Sequence, residues 1–398
     1  MFIALLGRQP EISLAELEAV FGVESVQKIA DNFAQINTKQ FNINELGGTI
    51  KCAKIIKELP LGKNHKTSLL IASNFINNYY GKKWRHQLSR ITLGLSAYNL
   101  KITPHDLQKT GLILKRNLKQ SGVSLRLIPN EQLALSTATS HNNKLGSGGN
   151  KVELLIIQTY NRLIIAESRG VQNITAYTKR DRNRPCRDAF VGMLPPKLAQ
   201  IMINLSGAKR TDCLWDPFCG TGTVLQEARL KEINIYGSDL SQKMVDYSTK
   251  NMQWFDEKFG DGHKNSHQIK AWWKIFQADA TTVKLNSDQA SLINYVVCET
   301  YLGLPFSAPP KPEKLHEVSG NCNHIISEFL QNIHHQLQPN TKLCIAVPAW
   351  RDNNDNFYHL PLLKNLQKLG FSQLNSTTLL YHRPNQVVAR EILVLVRL

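Results

Sequence analysis

The chain has 398 residues, 42% hydrophobic and 20% charged, which excludes a mainly disordered chain and leaves room for two or three domains. No apolar run approaches the roughly 20 residues that span a bilayer, which excludes a membrane-spanning helix. The net charge is +17 and uneven: residues 1–190 hold 27 basic against 13 acidic side chains, the remainder 21 against 18, so the first half is charged like a binder of polyanions.

The apolar start, Phe2–Leu6, stops at Gly7-Arg8-Gln9-Pro10 and reads as a strand, not a signal peptide. Ser13 with Glu16 three residues on predicts a capped helix over Leu14–Phe21. Gly47-Gly48 breaks the chain before a strand at Thr49–Ile56. The pattern then predicts a helix at Ser68–Tyr80, a strand at Ile91–Tyr98, a basic helix at Asp106–Ser121 and a strand at Ser124–Ile128. A polar loop, His141–Asn150, leads to two apolar runs, Val152–Thr159 and Arg162–Glu167, that read as a hairpin. Ala176–Asp188 is polar and charge-dense, and reads as a linker, either a solvated connector or a strip that contacts phosphates.

Beyond the linker, strands and helices alternate. Strands are expected at Cys213–Pro217, Asn234–Asp239, Lys274–Ala278, Tyr295–Val297 and Leu343–Val347. Helices are expected at Thr223–Lys231, Gln242–Lys258, His324–Leu337 and Leu362–Leu369, with closing strands near Thr378–Tyr381 and Val388–Val396. Repeated βα units imply a mostly parallel sheet covered by helices, here with an antiparallel edge hairpin.

The clearest motif is Asp216-Pro217-Phe218-Cys219-Gly220-Thr221-Gly222-Thr223, which follows a strand and opens a helix. Its glycines let backbone approach a ligand closely. Asp239 ends the next strand, at a spacing suited to ribose hydroxyls, and Asp279 follows the third. Leu225 stands where a dinucleotide fingerprint has its third glycine, and no lysine follows the turn, so neither that site nor a P-loop is complete. A carboxylate at the turn's mouth repels a pyrophosphate and attracts a cationic ligand. S-adenosyl-L-methionine is such a ligand, held by Asp216, Phe218, Cys219, Gly220, Gly222, Asp239 and Asp279. The fourth strand leads into Cys298-Glu299-Thr300-Tyr301, where Tyr301 offers a face for an extruded base and Glu299 or loop carbonyls accept from its amine. Seven scattered cysteines without a CxxC indicate neither a disulfide framework nor a metal site, and fit a reducing cytoplasm.

These residues resemble the THUMP-domain guanosine-N2 tRNA methyltransferases that modify position 10 of tRNA. The resemblance is carried by Ala4-Leu5-Leu6-Gly7, Leu46–Lys51, Leu93–Tyr98 and Lys115–Arg126. More specific are Arg180-Asp181, Arg184-Pro185, Arg187-Asp188 and Gly192–Ala199, then Asp216–Thr223 and the tail Tyr381–Glu391. It implies an α/β chain with a ferredoxin-like unit (1–65), a THUMP RNA-binding module (66–170), a basic linker (171–190) and a Rossmann-like class I methyltransferase domain (191–398). It also implies a tRNA substrate, no membrane, and a small activating protein partner as an open possibility. The cations expected on RNA are Lys82, Lys83, Arg85, Lys115, Arg116, Lys119, Arg126, Arg180 and Arg184. The family's catalytic loop reads Asp-Pro-Pro-Tyr. With Tyr301 in the Tyr place, Cys298 stands where the acid belongs, and Cys298, Glu299 and Tyr301 become the catalytic candidates. A methyltransferase for another base amine in RNA or DNA, and a catalytically silent RNA-binding relative, remain as alternatives.

Overall fold

The computed structural model describes residues 1–188, 193–259, 271–384 and 386–398. Gly192 and Asn385 of the resemblance, and the linker's last two residues, lie outside these. The chain forms two compact units, Met1–Ala176 and Tyr177–Leu398.

The first unit contains β1 (Phe2–Leu6), α1 (Pro10–Phe21), β2 (Val26–Ala30), β3 (Phe33–Ile36), β4 (Thr49–Leu59), α2 (His65–Trp84) and β5 (Ile91–Tyr98). It continues with α3 (Pro104–Gln120), β6 (Leu125–Leu127), α4 (Thr137–Asn142), β7 (Lys151–Gln158) and β8 (Leu163–Val171). One sheet, ordered β2-β3-β1-β4-β8-β7-β5-β6, runs through both expected N-terminal segments. The β7–β8 hairpin is antiparallel, and β8 pairs β4. The expected cap pair has another use. Helix α1 starts earlier, with Pro10 in its first turn. The Glu16 carboxylate accepts from the Gly47 and Gly48 amides at 2.8 and 2.7 Å, and the Ser13 hydroxyl donates to the Gly48 carbonyl at 2.9 Å. A Cβ on Gly48 would meet Glu16 and Ser13 at 2.9 Å, so this close approach requires glycine. Some of the basic excess is internal: Lys51, 1% exposed, donates to Glu153 at 2.6 Å.

Helix α5 (Ile174–Arg182) lies within the expected linker. Then follow α6 (Pro196–Ser206), β9 (Cys213–Asp216), α7 (Thr223–Leu230), β10 (Asn234–Asp239), α8 (Gln242–Phe259), β11 (Trp273–Gln277), α9 (Ser287–Leu292), β12 (Tyr295–Glu299), α10 (Pro312–His334) and β13 (Lys342–Arg351). The unit closes with β14 (Phe357–Tyr358), a 3₁₀ turn at Pro361–Leu369, β15 (Phe371–Gln373), β16 (Leu379–Tyr381) and β17 (Val388–Arg397). The sheet order is β11-β10-β9-β12-β13-β17-β15. Strands β9 to β13 are mutually parallel, while β17 lies antiparallel between β13 and β15 and also pairs β16. Val296, Val297 and Cys298 are fully buried, as expected of a central strand covered on both faces. Strand order reverses at β9/β12, so the carboxyl ends of these strands open a ligand crevice. Among the described residues, no helix is long and apolar enough to cross a membrane.

Candidate functional site

A cleft of about 1330 Å³ opens beyond those strand ends, lined by Asp216, Phe218, Gly220, Asp239, Asp279, Glu299, Tyr301 and Arg390 among others. Each acid has a local reason for its place. Asp216 ends β9 and accepts from the Phe218 amide at 3.1 Å, closing a tight turn. Asp239 ends β10, and its two oxygens accept from the Gly220 and Ser241 amides, each at 2.9 Å. The turn and the second acid therefore hold each other. Asp279, just beyond β11, accepts from the Thr281 amide and hydroxyl at 2.9 and 2.7 Å.

Gly220 and Gly222 have φ of +49° and +83°, the left-handed region where a side chain costs free energy. Gly222 ends the turn directly before α7, and Cys219 is buried behind it.

The cleft is electrostatically unbalanced. Burial pushes the Asp216 carboxyl well above its ordinary range, and the charges of Asp239 and Glu299 add to this. Burial also raises Asp239 against its two amide donors. Six acids line the cleft, Asp188, Asp216, Asp239, Asp279, Glu299 and Glu328, against the cations Lys243 and Arg390, which favours a ligand that carries positive charge. These acceptors fit S-adenosylmethionine: Asp216 would balance a positive charge and Asp239 would accept from vicinal hydroxyls.

The acid at the fourth strand end is Glu299. Its carboxylate lines the cleft and accepts from Arg390 Nε. Cys298 is fully buried in the core with Val296, Cys322 and Phe329. Successive side chains on a strand face opposite ways, so only one of this pair reaches the cavity. Of the catalytic candidates, Cys298 is therefore set aside as a core residue, whereas Glu299 and Tyr301 both line the cleft, with Thr300, Leu302 and Gly303 beside them. Tyr301 lines the cleft and is 37% exposed, so it is accessible to a ligand. The Thr300 amide and hydroxyl both donate to the Ala346 carbonyl at 3.0 Å, a bond that a proline nitrogen cannot make.

Arg180 and Arg184 were expected on phosphates and are placed otherwise. Arg180 is 6% exposed and donates to Glu227 at 2.6 Å, while Arg184 is 2% exposed and donates to the Thr223 hydroxyl at 2.7 Å. Asn251 donates to the carbonyls of Cys186 and Thr221. Residues 180–186 thus brace the glycine turn and α7 from behind. Lys179, Arg182 and Arg187 are the exposed cations of that strip.

In the first unit, Lys82, Arg85, Arg116, Lys119 and Arg126 are exposed and Lys115 is half-buried. Lys83 is paired with Glu167 at 2.8 Å and lies over the Tyr80 ring. Gly81 lies against Ser121, so the basic ends of α2 and α3 meet.

Sequence reasoning assigned no role to Arg390, Lys243, His324 or Glu328, which also line the cleft. The i, i+4 spacing of His324 and Glu328 was one available signal. Another was the charged pair Arg390-Glu391 inside an otherwise apolar strand.

Comparison with known proteins adds to this geometry. Residues 184–359 match the RMKL-like methyltransferase domain, and residues 57–250 match a DNA methylase model. The tRNA (guanine(10)-N2)-dimethyltransferase of Methanothermobacter thermautotrophicus is 30% identical over 164 residues, 41% of this chain and 41% of that protein. The enzyme of the same name from Methanocaldococcus jannaschii is 32% identical over 164 residues, 39% of this chain and 44% of its own. The chain therefore spans less than half the length of these curated relatives. The crystal structure of TrmN from Thermus thermophilus matches 100% of this chain and 99% of its own, at 16% identity and a TM-score of 0.56, which shows a shared fold.

Proposed function

We propose that this chain, a relative of the tRNA guanine-N2 methyltransferases, is itself an S-adenosylmethionine-dependent methyltransferase that modifies a guanosine N2 in tRNA. The observation that carries this reading is the placement of Glu299 in the same cleft as Asp216, Asp239, Asp279 and the glycine turn. A site for a cationic cofactor and an acceptor for an amine then face one cavity. When bound, the cofactor supplies an electrophilic methyl group on a positively charged sulfur.

The chain's own residues do the rest. The Glu299 carboxylate accepts from the guanine N2–H, and takes that proton as the nitrogen gains its methyl group. An exocyclic amine is a poor nucleophile because its lone pair is shared with the ring, so holding its N–H groups matters. Tyr301 gives the extruded base a face to stack on. Asp239 and Asp279 hold the adenosine part, and Asp216 balances the positive charge.

The first unit carries the RNA in this reading. Residues 1–65 and 66–170 act as its ferredoxin-like and THUMP parts, with the cations at the ends of α2 and α3 on the phosphate backbone. The seven free cysteines suit a reducing cytoplasm.

The test is transfer of a radiolabelled methyl group from S-adenosylmethionine to unmodified tRNA transcripts, followed by nucleoside separation. Label in N2-methylguanosine is the expected result. Label in a different nucleoside moves the activity to another base amine. No label, with cofactor and tRNA both bound, refutes the catalytic reading.

A further inference from the structure

Arg390 lies on β17, in a run whose neighbours Ala389, Ile392 and Leu393 are buried. It reaches Glu299 from 91 residues away and is itself 7% exposed. A guanidinium buried in a sheet is costly, and an apolar residue would stabilise the strand as well or better. Its use must lie in what it holds. Its Nε binds only one oxygen of Glu299, Oε1. Among the described residues, Oε2 takes no hydrogen bond and remains for an incoming donor.

We infer that Arg390 is a positioning residue, which fixes the Glu299 carboxylate in one orientation at the acceptor site and sets a positive charge against it. This deepens the methyltransferase reading and rests on it. A glutamate carboxylate ends a flexible side chain, so holding it in one orientation needs a restraint. Arg390 supplies that restraint from a strand on the far side of β13. It also opposes the surroundings. Burial dominates and holds the Glu299 carboxyl above its ordinary value, and Arg390 offsets part of that rise. Among the described residues, the other titratable groups facing the cavity are Asp216 from β9, Asp239 from β10, Asp279 after β11, His324 and Glu328 from α10, and Asp188, Lys243 and Tyr301, and none of these bonds Glu299.

The experiment compares the full-length chain with Arg390→Lys, Arg390→Gln and Glu299→Gln variants. Carboxyl carbon NMR of glutamate-labelled protein follows the Glu299 titration, with Glu299→Gln assigning its resonance. Loss of an adjacent opposite charge shifts a carboxyl by roughly one to three pH units, so Glu299 should titrate at least about one unit higher in Arg390→Gln. Arg390→Lys should fall between, and is the variant read if Arg390→Gln does not fold. Methyl transfer to tRNA should lose about 100-fold in kcat near neutrality, with its acid limb displaced upward and KM for the cofactor within about threefold. An unchanged Glu299 titration in both variants overturns the inference, as does a kcat loss equal at every pH. If wild-type protein transfers no methyl group to any RNA, the methyltransferase reading falls, while the NMR comparison still decides whether Arg390 controls Glu299.

Discussion

Replacing Thr300 with proline should damage this protein, although proline is what the family's loop carries there. Thr300 is 3% exposed, and its amide and hydroxyl converge on the Ala346 carbonyl, itself fully buried. Thr300→Val removes only the hydroxyl bond, at a cost of about 1 kcal/mol. Thr300→Pro removes both donors and leaves a buried carbonyl unpaired, which adds about 1–3 kcal/mol, for a total near 2–4 kcal/mol. Five of the six tryptophans lie between residues 215 and 350, so urea unfolding followed by tryptophan fluorescence reports mainly on the second unit. The expected order of midpoints is wild type, then Thr300→Val, then Thr300→Pro. A Thr300→Pro protein within about 0.5 kcal/mol of wild type would refute the bonding described, as would equal losses in both variants.

Three further outcomes follow from the same geometry. Asp216 is harder to ionise than an ordinary carboxyl, and its protonated form holds a cation poorly; affinity for S-adenosylmethionine should begin to fall on acidification well before the ordinary carboxyl value of 3.8 is reached, and calorimetry showing a profile that stays flat down to that value would contradict this. Arg180→Ala leaves Glu227 buried without its partner and should cost about 3–5 kcal/mol in urea unfolding while leaving the salt dependence of RNA binding unchanged; the reverse pattern would return Arg180 to the phosphate-binding set. Replacing Lys115 and Arg116 with alanine should weaken RNA binding and reduce the slope of log affinity against log salt by about 1 for each phosphate no longer neutralised, so an unchanged slope means that the RNA lies elsewhere.

The site's strand ends were legible because each parallel strand is a short apolar run that stops at an acid. Asp216, Asp239 and Glu299 close their strands, and Asp279 follows two residues after β11. At β12 the sequence offered Cys298 and Glu299 side by side, and it could not say which faces the cavity; the structure buries Cys298 and puts Glu299 in the cleft lining. Arg390 was hidden for a different reason: its partner is a strand apart in space and 91 residues apart in sequence. Composition also misled. Residues 176–188 look like a solvated linker, yet Glu227 and Thr223 draw Arg180 and Arg184 inward. Helix α10 begins twelve residues before its expected start, with Pro312 in its first turn and Val318, Ser319 and Cys322 already on its buried face. Strands β2 and β3 went unread because Gln27, Lys28 and Gln35 interrupt their short apolar runs.

The most direct test of the central claim separates acceptor chemistry from cofactor binding. Wild-type, Glu299→Gln and Asp239→Ala proteins would each be assayed for methyl transfer to tRNA transcripts and, by calorimetry, for S-adenosylmethionine affinity. The account predicts that Glu299→Gln loses at least about 100-fold in transfer with cofactor affinity within about threefold of wild type, whereas Asp239→Ala loses affinity first. Transfer by Glu299→Gln at the wild-type rate would contradict it.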